Sequence, residues 1–302
     1  MKTTDRGRRD GLLLIDKPSG PTSHGVVARV RRVLGLRRVG HAGTLDPLAT
    51  GLLPLVLGRA TRLVRFLPRG PKVYEGTLLL GRTTITDDVT GALIREHDGR
   101  LPAPDEVLRR AHELEGSGLQ LPPAISARKV AGRRLYRVNR NGVRISAAPS
   151  IVEVAHFDLV PDEAPGVYRF SVEVSAGTYV RSLVRDLGAA LDCGGVLASL
   201  RRTAIGPLRL DAAFPLDAEQ LPDEEELARW VLPLERMRLV PPVVRLANET
   251  DLERFRRGAL LARPGGSADG VCQVLAPDGR LLGIAECGAS GLHPRVVLPA
   301  DS

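Results

Sequence analysis

Aromatic residues are scarce in this chain, 3% of 302 residues with one tryptophan, so each of the four tyrosines is more informative than usual. Cysteine is scarcer still. The three that occur, Cys193, Cys272 and Cys287, form no C-x-x-C pair, and an odd count of this kind supports neither a disulfide framework nor a cysteine zinc site. A reducing compartment, the cytoplasm, is therefore expected. No stretch reaches the roughly 18 apolar residues of a membrane-crossing helix, and the apolar run from Gly11 to Ile15 is too short for a signal-peptide core. Lysine is almost missing: Lys2, Lys17, Lys72 and Lys129 stand against 39 arginines. That ratio reads as GC-rich coding, so arginine number alone says little about mechanism.

What is present is an ordinary globular balance, 43% hydrophobic and 26% charged, with length enough for one large and one small domain. The formal net charge is +8. Residues 1–70 hold 14 Lys or Arg against only Asp5, Asp10, Asp16 and Asp46, an excess greater than that of the whole chain. A basic tract of this density suggests a polyanionic partner.

Hydrophobic periodicity outlines a mixed α/β chain. Gly11–Pro18 reads as a buried strand, followed by Pro21, Thr22 and Ser23 as cap chemistry for a helix over 24–34 that ends at Gly35. Strands are predicted at 52–57 and 73–80, with helices at 60–67 and 104–114. Tyr168, Phe170, Val172 and Val174 alternate with Arg169, Ser171 and Glu173 as a half-buried strand, and Val180, Leu183, Val184 and Leu187 then show helical spacing. Asp217–Trp230 reads as an acidic helical patch, and the segment from about Arg236 as a small β-rich domain.

The loop GHAGTLDPLATG, residues 40–51, offers one imidazole, His41, and one carboxylate, Asp46. Isolated, Leu-Asp-Pro is usually just a turn, and His and Asp with no third ligand nearby do not make a metal site. A nucleophilic or basic aspartate is the chemistry left open. TDDVTG, with Asp87 and Asp88, likewise reads as a polar turn between strands.

Seven segments occur in a particular order: GLLLIDKPSGPTSHGVV, GHAGTLDPLATGLLPLVLGRATR, KVYEGTLLLG, GRTTITDDVTG, PPAISARKVAGRRLY, SAGTYVRSLVRDLG and LASLRRTAIGP. In this order the chain resembles the TruB family of bacterial tRNA pseudouridine-55 synthases over residues 11 to about 215. The resemblance implies a pseudouridine synthase fold with a mostly antiparallel central sheet and an RNA cleft, and a small β-rich PUA-type domain, divided at 1–235 and 236–302. It implies Asp46 as the catalytic aspartate, with Tyr179 and Arg181 of G-T-Y-x-R as further catalytic residues. Substrate contacts fall on His41, which enters the T-loop, on Tyr74, which stacks on the flipped uracil, and on Leu200. Lys17 is expected to meet RNA backbone.

No cofactor and no metal are implied, and the expected partner is the T-arm of tRNA, bound by a monomer with no membrane association and no obligate protein partner. The chain departs from the family pattern at Ile125, where tyrosine is usual, and at Arg128, an apolar position. A guide-RNA-dependent relative is the alternative within the enzyme class, for which long basic terminal extensions are expected and not seen. An RNA chaperone is the alternative outside it.

Overall fold

The computed structural model describes residues 10–124, 129–130, 133–134, 148–237, 239, 242–263, 265 and 267–299. Ile125, Arg128 and the side chain of Lys129 lie outside the described set. Two compact units emerge, one of Met1–Pro47, Gly51–Pro68 and Leu210–Ser302, the other of Leu48–Thr50 and Arg69–Arg209.

The first unit opens with β1 (Gly11–Lys17), whose LLLI core explains its burial on both faces. The Thr22 hydroxyl accepts a hydrogen bond from the Gly25 N–H at 2.9 Å and so caps α1 (Ser23–Val33), which buries Val26 and Val30. Gly35, at φ +61°, lets the chain leave the helix in the left-handed region. The predicted loop then contains one short strand, β2 (Val39–His41), antiparallel to β3 (Thr50–Leu57). Strand β1 lies antiparallel to β3 from Gly11↔Leu57 to Lys17↔Gly51, and parallel to the short strand Phe214–Pro215. The helix expected at 60–67 is a 3-10 helix, Gly58–Phe66.

The second unit is built on β4 (Lys72–Leu80). A hairpin of β5 (Arg82–Thr84) and β6 (Leu93–Glu96) follows, then α2 (Pro104–His112), β7 (Gly116–Gln120), β8 (Ser150–Pro161) and β9 (Val167–Val174). Helix α3 (Val180–Ala190) and β10 (Gly195–Ile205) complete it. The strands run antiparallel in the order β10-β4-β9-β8-β7. The alternation read from the sequence is realised in β9, where Tyr168, Phe170, Val172 and Val174 are buried. Helix α3 buries Val180, Leu183, Val184 and Leu187, as its spacing predicts.

Back in the first unit, the acidic patch gives a helix only over Glu224–Arg229: Pro222 precedes it, and the Asp223 carboxylate caps the N–H groups of Glu225 and Glu226. The terminal segment forms a four-stranded sheet of β11 (Val243–Arg245), β12 (Gly270–Leu275), β13 (Leu281–Gly288) and β14 (Gly291–Val297), in that order. A helix absent from the sequence expectation, Glu249–Arg256, is capped by Asn248 and adds Leu252 and Phe255 to a core with Val244, Cys272 and Leu292. Arg59 and Arg62 of the 3-10 helix donate to the carbonyls of Pro299 and Val297, at 3.0 and 2.8 Å. The small sheet is thereby tied to the N-terminal part of its unit.

Helix α3 lies against the chain entering β10 at a glycine contact. A Cβ on Gly188 would sit 2.1 Å from the Gly195 nitrogen and 2.2 Å from the Gly194 carbonyl carbon, both backbone atoms that cannot turn aside. Gly188→Ala is predicted to force the helix outward and lower unfolding free energy by about 1–3 kcal/mol. A shift of the denaturant midpoint with unchanged slope is the expected result. An unchanged midpoint would show that this packing has slack.

Candidate active site

Asp46 sits in a loop with no ladder partners, so its neighbours must hold the backbone by other means. Ser23, fully buried at the start of α1, does so from one side. Its hydroxyl accepts from the Leu45 N–H at 2.8 Å and donates to the Leu45 carbonyl at 3.0 Å. Lys17 and Gly20 act from the other. The Lys17 ammonium donates to the carbonyls of Pro18 and Pro21, each at 2.8 Å, and of Pro47 at 3.3 Å, while the Gly20 N–H reaches Pro47 O at 2.9 Å. The residues on both sides of Asp46 are thus fastened to the turn between β1 and α1.

This placement corrects the expectation for Lys17. A side chain with 0% exposure cannot meet an RNA phosphate, and its three donors are already used on carbonyls. Burial draws the ammonium down from its ordinary 10.5 to about 8, with the negative charge of Asp46 opposing that shift.

His41 ends β2, half-buried, opposite Leu55 of β3. Its ring meets that of His24 edge-on, with centroids 5.1 Å apart and planes at 80°. His24, exposed on the first turn of α1, was not singled out by sequence because one histidine in TSHG carries no periodic signal.

In the second unit, Tyr74 of β4 stands between Val172 of β9 and Arg202 of β10. Two residues on, Gly76 faces Phe170 and Leu200, so Tyr74, Arg202 and Leu200 share one sheet face, with the Phe170 ring lying close over Gly76. A Cβ there would lie 2.2 Å from Ser199 O and 2.9 Å from the Phe170 ring. Tyr74 and Leu200 are 6% and 9% exposed. Arg202 is fully buried, and its charge adds to burial in drawing Lys72 down to about 8. The second arginine of the L-R-R motif was the signal for it, read there only through its leucine.

Tyr179 and Arg181 open α3 after the Ser175–Thr178 turn, where Gly177 takes φ +98°. Arg181 is buried, donates to Thr86 O at 2.7 Å, and has Asp88 at 3.7 Å. The Asp88 carboxylate also accepts from the Thr86 and Thr90 hydroxyls and the Thr90 N–H, at 2.8, 2.6 and 3.0 Å. The polar-turn reading of TDDVTG therefore stands, with the addition that the turn accommodates a buried guanidinium. Asp87, at φ +60°, pairs with Arg185 at 3.2 Å, and burial raises its carboxyl above the ordinary range while Arg185 and Arg181 pull it down.

The class of protein is that of the pseudouridine synthases. The fold agrees: the Cbf5–Nop10–Gar1 complex superposes with a TM-score of 0.71 at 26% identity, covering 98% of this chain and 87% of that one. The H/ACA RNP bound to a substrate RNA containing 2'-deoxyuridine gives 0.70 at 25%, covering 99% and 89%.

The model of the TruB family pseudouridylate synthase N-terminal domain matches residues 31–180, and that of the tRNA pseudouridylate synthase B C-terminal domain matches 181–238. Similar curated relatives are the tRNA pseudouridine synthases B of Thermobifida fusca, 42% identical over 95% of this chain and 98% of that protein, and of Gloeobacter violaceus, 40% identical over 96% and 99%. The chain belongs to the TruB family.

The buried Lys17 leads to a test by pH. Between about pH 8 and 10.5 the unfolded chain keeps a proton on Lys17 that the folded chain has released, so stability rises with pH across that window. Below it, the burial penalty is present in full. Lys17→Met should reduce the slope of unfolding free energy against pH there by up to about 1.4 kcal/mol per pH unit, the value of one proton. Chemical denaturation from pH 7 to 10.5 measures it. An identical slope in both proteins would mean that Lys17 titrates as an exposed lysine.

Proposed function

We propose that this protein isomerises uridine 55 in the T-loop of tRNA to pseudouridine, acting in the cytoplasm as a monomer. The observation that carries the reading is Asp46: a carboxylate whose flanking backbone is fixed by Ser23, Lys17 and Gly20, in a TruB-family chain. The reaction breaks the bond from N1 to the ribose and forms one from C5, with C5 losing the proton that N1 gains. No electrons are exchanged overall. One carboxylate to open the bond and one group to take the C5 proton meet that demand, and Asp46 and Tyr179 are assigned these roles.

The target base must leave the RNA stack before any side chain reaches it, at a cost of roughly a few kcal/mol. Stacking on Tyr74, assigned to receive the uracil, offsets about 1–3 kcal/mol of such a cost. Leu200 lies on the same sheet face as that ring, one pair further along the ladder. His41 is assigned to the space the nucleotide leaves, its ring plane supported by His24. Arg181, held by Thr86 O and Asp88, is assigned as a further catalytic residue.

The basic excess of residues 1–70 and the sheet of residues 243–297 are assigned to grip the tRNA, the latter as a PUA-type accessory domain beginning near residue 236. Curated relatives matched over nearly their whole length favour tRNA as substrate over a guide-RNA particle.

The test is Asp46→Asn, which keeps size and hydrogen bonding and removes the charge. Single-turnover pseudouridine formation on a tRNA transcript should fall below detection, while affinity stays within about tenfold because phosphate contacts and shape dominate binding. A mutant that turns over at the wild-type rate would remove Asp46 from the chemistry.

A further inference from the structure

Gln120 is the last residue of β7, opposite Ser150 of β8, and only 4% exposed. Its side chain does not bond the sheet it belongs to. The carboxamide oxygen accepts from the Tyr179 N–H at 2.8 Å, and the carboxamide nitrogen donates to the Tyr179 carbonyl at 3.2 Å. One residue's N–H and C=O are thus both held by one side chain.

Tyr179 needs such a partner. It is the residue before the first turn of α3, where its N–H has no intrahelical acceptor, and its own side chain does not cap this helix end. Its carbonyl already accepts from the Leu183 N–H at 3.1 Å, so the second bond from Gln120 orients it without competing for the helix. A neutral carboxamide is the side chain that offers a donor and an acceptor together in one plane, and asparagine is one methylene shorter. The next residue extends the attachment: the Leu121 carbonyl accepts from the Ser182 hydroxyl and from Arg185, both at 2.9 Å. Gln120 and Leu121 together therefore secure the first turn of the helix that carries Tyr179 and Arg181.

We propose that Gln120 is a positioning residue for the isomerisation, its carboxamide setting the backbone of Tyr179 and, through the first turn of α3, the places of the Tyr179 phenol and the Arg181 guanidinium. The proposal rests on the assignment of those two residues to the reaction. The turn before them contains Gly177 at φ +98°, so without Gln120 the strand-to-helix junction is left to its softest link.

The test uses the full-length protein and two variants. Gln120→Met keeps the shape and loses both hydrogen bonds. Gln120→Glu keeps both when the carboxyl is protonated, and when ionised it turns a negative oxygen on the Tyr179 carbonyl. The charged groups bonded around this corner are Arg181 and Arg185 of α3, with Asp186 beside them, and Asp87 and Asp88 of the β5–β6 turn. Single-turnover pseudouridine formation and tRNA affinity are measured from pH 5.5 to 8.5, with thermal unfolding of each protein.

Gln120→Met should lose at least about tenfold in rate with tRNA affinity within threefold of wild type. The ratio of the Gln120→Glu rate to the wild-type rate should rise as pH falls. A wild-type rate in Gln120→Met, a parallel loss of rate and affinity, or a flat Gln120→Glu ratio overturns the proposal. If Gln120→Met does not fold, the ratio decides alone. A wild-type protein that forms no pseudouridine refutes the functional reading itself, an outcome distinct from an active wild type with indifferent variants.

Discussion

A carboxylate on a loop outside any sheet ladder is placed by whatever groups hold its backbone, and around Asp46 a buried lysine and a buried serine provide the hold. Lys17 opens the KPSGPT turn and Ser23 follows it; Ser23 bonds the Leu45 backbone with its hydroxyl, and Lys17 donates to Pro47 O as well as to Pro18 and Pro21 within the turn. The cost is a desolvated ammonium, visible in its lowered pKa. The return is a loop with its buried carbonyls satisfied and a positive charge close to the aspartate.

The second unit solves the same problem with different residues. Tyr179 and Arg181 lie where a strand turns into a helix, and their surroundings are fixed by Gln120, Thr86 and Asp88. Asp88 is saturated by two hydroxyls, an amide N–H and the guanidinium, so a charge pair sits inside the unit at moderate cost. Removing one partner there leaves the other buried and uncompensated. Asp46 and Tyr179 thus share a physical pattern: each projects from backbone outside a strand or helix, and interior polar side chains hold that backbone still.

Much of the fold was legible in the sequence. The two-residue alternation of Tyr168, Phe170, Val172 and Val174 could only fit a half-buried strand, and Thr22 with Gly35 marked both ends of α1. Ordered motifs pointed to Asp46, Tyr74 and Tyr179. What escaped was decided by burial of polar groups, which composition cannot reveal. A lysine in a Pro-rich turn reads as surface charge until three carbonyls are found around it, and no periodic signal marks Gln120 or Arg202 as buried. Local breakers also shifted boundaries: Pro222 and Asp223 confine the acidic helix to Glu224–Arg229, and the Asn248 cap starts a helix that a polar stretch had hidden.

The central claim is that this braced aspartate performs pseudouridine formation at one place in tRNA. Its most direct measurement is single-nucleotide mapping of pseudouridine on an unmodified tRNA transcript after incubation with the purified protein in buffer containing a chelator. The account predicts a single new pseudouridine, at position 55 of the T-loop. Absence of any pseudouridine, or its formation only elsewhere in the transcript, would contradict it.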